Sequence, residues 1–108
     1  DRLGPVLEYM TENFRQNPTI GGLARKASLS RSRFHATFKE TIGESPVLYI
    51  RRLKLQEASV LLLGTDKSIA EIADEVGIED PFYFSRIFKN YHGVSSREYR
   101  RQENSTPI

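Results

Sequence analysis

The chain contains no cysteine and no tryptophan. The first absence excludes disulfides and thiolate metal sites and fits a reducing cytoplasm. Only two histidines are present, His35 and His92, too few for an imidazole cluster, so no metal is expected. Long apolar runs are missing as well. None exceeds the four residues of Val60 to Leu63, far short of the ~20 that a spanning helix requires, so no membrane partner is expected. A strong excess of one charge is also lacking: 16 Lys and Arg face 14 Asp and Glu, a net of +2 that by itself points to no partner. No glycine-rich phosphate loop, cysteine nucleophile or His–carboxylate pair on one helix face is found, so neither an enzyme nor a cofactor is expected. At 108 residues, the chain has room for one modest unit. It begins at Asp1 rather than Met, with no signal-peptide pattern, and reads as a fragment of something longer.

What is present is a repeat. Ile20-Gly-Gly-Leu23-Ala24-Arg-Lys-Ala27 matches Ile69-Ala-Glu-Ile72-Ala73-Asp-Glu-Val76 at an offset of 49. One extra residue follows in the second copy, and the match resumes at 50. Phe34 then pairs with Phe84, Phe38 with Phe88, Lys39 with Lys89, Gly43 with Gly93, Ser45 with Ser95 and Tyr49 with Tyr99. Each copy reads as a short amphipathic helix, a tight turn and a second helix, the layout of a helix-turn-helix. Two in tandem suggest a reader of two DNA grooves.

The copies differ in charge. Thr19 to Ile42 carries five bases (Arg25, Lys26, Arg31, Arg33, Lys39) and one acid (Glu40), a net of +4. Ser68 to His92 carries two bases (Arg86, Lys89) and five acids (Glu71, Asp74, Glu75, Glu79, Asp80), a net of −3. Arg97, Arg100 and Arg101 follow and restore positive charge.

The pattern predicts an all-α fold of about seven helices. Leu3, Val6, Leu7, Met10 and Phe14 form the stripe of a first helix, stopped by Asn17-Pro18. A short helix runs from Thr19 to about Ala27, despite Gly21-Gly22, which cost roughly 1 kcal/mol each against Ala. Ser30 caps a third helix, ended by Gly43. Ser45 and Pro46 are N-cap and N1 of the longest helix, which ends at Gly64. Its residues Leu48, Tyr49, Ile50, Leu53, Leu55, Ala58, Val60, Leu61 and Leu62 wrap much of its circumference, as if both halves pack against it. Ser68 and Glu71 make a capping box, and Asp80-Pro81 opens a helix to about Tyr91, closed by Gly93. Ser95 to Gln102 is a last short helix, and Glu103 to Ile108 is a fraying tail. The domains expected are a first helix-turn-helix subdomain over 1–44, a connecting helix over 45–64 and a second subdomain over 65–108.

On a helical projection, Phe84, Ile87, Phe88 and Tyr91 share one apolar arc, opposite Phe82, Ser85, Arg86, Lys89 and Asn90. In the first copy Phe34 and Phe38 anchor the inner face, and Ser32, His35, Ala36, Lys39 and Glu40 fill the outer one. The Phe pairs are core. Phe82 faces away from the core arc, which leaves a groove contact or packing over Pro81. His35 is either a contact or filler, and His92 answers to the helix dipole. Glu71, Asp74 and Glu75 either solvate their helix or form a surface that meets RNA polymerase.

Gly77-Ile-Glu-Asp80-Pro-Phe-Tyr-Phe84-Ser-Arg86-Ile-Phe88-Lys89, then Gly93-Val-Ser95 and Tyr99-Arg100, closely resembles the C-terminal motif of AraC/XylS-type transcription regulators. With the first copy and Ser45-Pro46, the resemblance covers nearly the whole chain. Two positions depart: Ile78 stands where the family usually has an aromatic, and Ser96 where it usually has proline.

The resemblance implies two helix-turn-helix units joined by the long helix, with the helices from Ser30 and Asp80 entering successive major grooves of double-stranded DNA. The groove centres lie about 34 Å apart. By that likeness, Ser32, His35 and Ala36 contact bases in the first unit, and Phe82, Ser85 and Arg86 in the second. Arg31, Arg33, Lys39 and Lys89 lie nearer phosphates. A guanidinium binds guanine O6 and N7 bidentately, which singles out Arg86, and Phe82 suits a thymine methyl. The expected function is a sequence-specific DNA-binding domain of a bacterial activator, cytoplasmic, with an N-terminal effector or dimerisation domain elsewhere in the parent. The alternative is a helical protein-interaction module without DNA binding.

Overall fold

A computed structural model of the chain describes residues 2–105, with side chains to residue 102. Seven α-helices follow one another: α1 Leu3–Asn13, α2 Ile20–Lys26, α3 Arg31–Ile42, α4 Pro46–Gly64, α5 Ile69–Glu75, α6 Pro81–His92 and α7 Ser96–Ser105. A 3-10 turn, Phe14–Gln16, extends α1 and gives way at Asn17, whose φ of 54° precedes Pro18. No strand occurs among the described residues. The expected tail is helical as far as Ser105, and 106–108 lie outside the described residues.

The helix boundaries follow from side chains that satisfy the first free amides of each helix. The Thr19 hydroxyl accepts from the Gly22 N–H at 3.0 Å, and Ser30 accepts from the Arg33 N–H at 3.2 Å. Ser45 accepts from the Leu48 N–H at 3.2 Å, with Pro46 as the first residue of α4. Ser68 and Glu71 form the full reciprocal box: Ser68 Oγ accepts at 3.1 Å, and Glu71 Oε1 accepts from the Ser68 N–H at 2.8 Å. Asp80 accepts from the Phe82 N–H at 2.9 Å, with Pro81 at N1. Gly43 and Gly93 close α3 and α6 at φ of 96° and 86°, which an L side chain rarely adopts.

The chain divides into two compact units, residues 1–53 and 54–108, with the boundary inside α4. The first unit buries Leu3, Val6 and Met10 of α1, Leu23, Ala24 and Ala27 from the second helix and its end, Phe34 and Phe38 of α3, and Ile50 of α4. The second buries Leu55, Ala58 and Leu62 of α4, then Ile72, Ala73, Val76 and Ile78, then Phe84, Ile87 and Phe88. Residues of α4 therefore belong to both cores, but not all the expected ones do. Leu48 is 46% exposed and Val60 61%. Their apolar side chains lie on faces of α4 that neither core covers, which periodicity alone does not distinguish on a helix apolar over much of its girth. Among the described residues, no helix is long and apolar enough to cross a membrane.

Candidate nucleic-acid interface

Each unit holds its second helix by the same device. In the first, the Phe34 and Phe38 rings lie 5.6 Å apart, and Tyr49 meets Phe38 edge-on at 5.5 Å. In the second, Phe84 and Phe88 lie 5.7 Å apart, and Tyr99 meets Phe88 edge-on at 5.6 Å. All four phenylalanines are fully buried. Such tilted and edge-on pairs add to the area they bury. With one face of α3 and of α6 fastened inward, the opposite face must look outward.

The turns between paired helices also correspond. The Ser28 N–H donates to the Arg25 carbonyl and the Leu29 N–H to the Ala24 carbonyl, both at 3.0 Å. The Gly77 N–H donates to the Asp74 carbonyl at 3.0 Å and the Ile78 N–H to the Ala73 carbonyl at 2.8 Å. Both turns satisfy the end of their helix through one left-handed residue, Ser28 at φ 58° and Gly77 at φ 92°. The extra residue of the second copy, Glu79, falls after this turn and before the Asp80 cap. Sequence reasoning passed over Ser28, although its partner at the offset of 49 is Gly77.

Gly21 and Gly22, unfavourable as helix formers, have local reasons. A Cβ on Gly21 would lie 2.9 Å from the Arg31 guanidinium, which rests against the start of α2. A Cβ on Gly22 would lie 3.0 Å from the capping hydroxyl of Thr19.

The second unit has three further anchors. Lys54 is buried, and its Nζ donates to the Gly77 carbonyl at 3.1 Å, bracing the turn before α6. His92 Nε2 bonds the Leu55 carbonyl at 3.0 Å, and its ring lies 4.2 Å from that of Phe88. The helix dipole expected to explain His92 is therefore secondary to a specific acceptor and an aromatic stack. Arg100 donates from Nε to the Leu62 carbonyl at 2.9 Å and from its terminal nitrogen to the Thr65 carbonyl at 3.1 Å, closing the end of α4. Ile78 is buried, so an aliphatic side chain fills the place where an aromatic was expected. Ser96 is the first residue of α7, and Ser95 caps it by accepting the Glu98 N–H at 3.1 Å.

All ten candidate contact residues are exposed: Arg31, Ser32, Arg33, His35, Ala36 and Lys39 on α3, and Phe82, Ser85, Arg86 and Lys89 on α6. Phe82 is 83% exposed, which removes packing over Pro81 as an account of it. Tyr91, placed on the inner arc by the projection, is 42% exposed, and its hydroxyl accepts from Gln56 at 3.2 Å. The Arg86 guanidinium lies 5.1 Å from the Tyr83 ring centre, within reach of a cation–π contact on its own helix. Lys26, counted in the basic stretch, instead places its ammonium 4.2 Å from the Tyr9 ring centre, over α1. Among the described residues, no group of histidines and carboxylates could hold a metal ion.

A family model described as a helix-turn-helix domain matches residues 23–102. The lactose operon transcription activator of Staphylococcus xylosus is 31% identical over 95 residues, which make up 88% of this chain and 34% of the relative. The chain thus spans about a third of the length of the curated relatives it matches. Among solved structures, an AraC-type transcriptional regulator from Chromobacterium violaceum is 27% identical, with a TM-score of 0.89, covering 98% of this chain and 95% of that one. The DNA-binding domain of AdpA, solved with a target DNA, is 26% identical with a TM-score of 0.88, covering 94% and 92%. Two capped helix-turn-helix units with duplicated aromatic locks, a matching family model and these neighbours agree. The chain belongs to the AraC-type family of helix-turn-helix DNA-binding domains of transcription regulators.

Proposed function

We propose that α3 and α6 are the reading helices and that their outer faces divide the work of holding DNA. Ser32, His35 and Ala36 meet base edges in one major groove, and Phe82, Ser85 and Arg86 in the next. Arg31, Arg33, Lys39 and Lys89 lie against phosphates. The observation that carries this reading is Phe82, a large apolar side chain 83% exposed on the same face as Arg86. A thymine methyl accounts for it, and Arg86 offers the donors that guanine accepts. Ala36 offers little beyond apolar contact, so the first unit holds mainly through charge, +4 over Thr19 to Ile42 against −3 over Ser68 to His92.

The parent is an activator, as one relative's name describes that protein. It works in the cytoplasm, carries an effector or dimerisation domain beyond this chain, and has no catalytic role. The acids Glu71, Asp74 and Glu75 of α5, the last of them paired with Lys67, are the surface for RNA polymerase.

The test compares Arg33→Ala with Arg86→Ala on selected and random duplexes. Arg33→Ala should weaken both alike and flatten the salt dependence. Arg86→Ala should relax preference at one base pair, by about 1–3 kcal/mol. Arg33→Ala leaving random-duplex affinity untouched while Arg86→Ala abolishes it would reverse the division. Binding that ignores salt would favour a protein-docking module instead.

A further inference from the structure

An open groove of about 500 Å³ lies in the second unit beside the reading helix. Pro81, Phe82 and Ser85 of α6 line one side, and Ser95, Ser96 and Arg97 at the start of α7 line another. The α7 side is made of donors. The Glu98 N–H is taken by the Ser95 hydroxyl, and the Tyr99 N–H by the Ser95 carbonyl at 2.8 Å. The N–H groups of Ser96 and Arg97 come earlier and have no intrahelical acceptor, with the positive end of the helix dipole behind them.

Ser96 supplies a second, independent observation. It is 4% exposed, and its side chain makes no hydrogen bond to another described residue. Among the described residues, no enclosed side-chain polar atom lacks a partner. The Ser96 hydroxyl is therefore not enclosed, and Ser96 itself lines the groove. A nearly buried serine with a free hydroxyl, two free amides and the Arg97 guanidinium together suit an anion. No carboxylate lines the groove. Glu98, in the first turn of α7, accepts from Gln102 Nε2 at 3.2 Å.

We infer that Ser96 and Arg97, with the amides of the first turn of α7, seat one backbone phosphate of the duplex that Phe82 and Ser85 face. The inference rests on the DNA-binding reading above. It adds a fixed point from α7 that holds α6 in register, and a proline at position 96 would supply neither the amide nor the hydroxyl.

The test uses the 108-residue chain and a duplex selected from a random-sequence pool, with phosphates replaced one at a time by neutral methylphosphonate. The variants are Ser96→Pro, which suits the first position of a helix, Ser96→Ala and Arg97→Ala. One replacement should weaken the unaltered chain roughly tenfold. Ser96→Pro and Arg97→Ala should each bind the unmodified duplex more weakly, lose part of the penalty from that one replacement and keep their base preference. Arg97→Ala should also flatten the salt slope by about 1. If Ser96→Pro unfolds, Ser96→Ala and Arg97→Ala carry the comparison.

Variants as sensitive as the unaltered chain at every phosphate, or an unaltered chain sensitive at none, overturn the seat while leaving DNA binding intact. Failure to bind any duplex removes the DNA-binding reading and the seat together. Amide shifts of Ser96 and Arg97 that inorganic phosphate saturates but the duplex does not produce would assign the site to a free anion and overturn it too.

Discussion

The two units share their interior and differ in their fittings. The aromatic locks repeat to within 0.1 Å in ring separation, 5.6 against 5.7 Å and 5.5 against 5.6 Å. Around those locks, the second unit uses the better local chemistry: glycine at the left-handed turn, a complete capping box on α5, and a buried lysine bracing the turn. The first unit puts Ser28 at the turn and only half a box on α2, because Gly22 has no side chain to return the bond of Thr19. Its exposed face carries the bases instead. Close packing constrains inner residues to one solution, whereas the surface and the turns are free to diverge.

The largest expected effect asks whether the shared interior is energetically as well as geometrically repeated. Phe34→Ala and Phe84→Ala should each cost about 3–5 kcal/mol in denaturant unfolding, since both leave a cavity at a fully buried site. A clearly smaller cost for one of them would show that its unit relaxes around the loss, and the likeness would be one of shape only.

Smaller changes should come from the turns. Gly77→Ala should lose about 1–2 kcal/mol, because a Cβ is strained at φ 92°. Ser28→Gly should gain, by under about 1 kcal/mol, since relief of strain is offset by the freedom of glycine in the unfolded chain. Amide exchange at Leu29 and Ile78 would assign each effect to its unit. If Ser28→Gly destabilises, the serine makes some contribution beyond the backbone geometry seen here.

The smallest effect concerns the capping box. The bond from the Ser68 backbone N–H, then that with the Ser68 side chain, holds the Glu71 carboxyl below the usual glutamate range. A carboxyl lowered in the folded state stabilises it above the unfolded value and loses that contribution as pH falls through the folded value. Glu71→Gln should therefore flatten the acid limb of a stability–pH curve by slightly lowering its neutral plateau towards the acid level. An unchanged acid limb would mean that the box is not maintained in solution.

Much of this fold was legible in the residues because capping and periodicity are local. Ser30, Ser68 with Glu71, and Asp80-Pro81 announce helix starts by their own chemistry, and the Phe pairs mark the inner faces. Other features depend on partners distant in the chain. Lys54 finds its acceptor 23 residues away and Arg100 its acceptors 38 and 35 away, and no spacing rule signals either. Val60 and Leu48 were misplaced because an apolar residue declares its preference, not whether a neighbour covers it. At the site, the outer arcs were readable as angles, while the free hydroxyl of Ser96 depended on what surrounds it.

The Arg100 bonds to the end of α4 bear on how this protein can be cut. The guanidinium ties off two main-chain oxygens at the close of the longest helix, from a position in α7 that lies 38 and 35 residues further along the chain. Cutting the chain before that arginine would remove more than α7 itself. It would unfasten the far end of the long helix, so a minimal working piece has to retain Arg100.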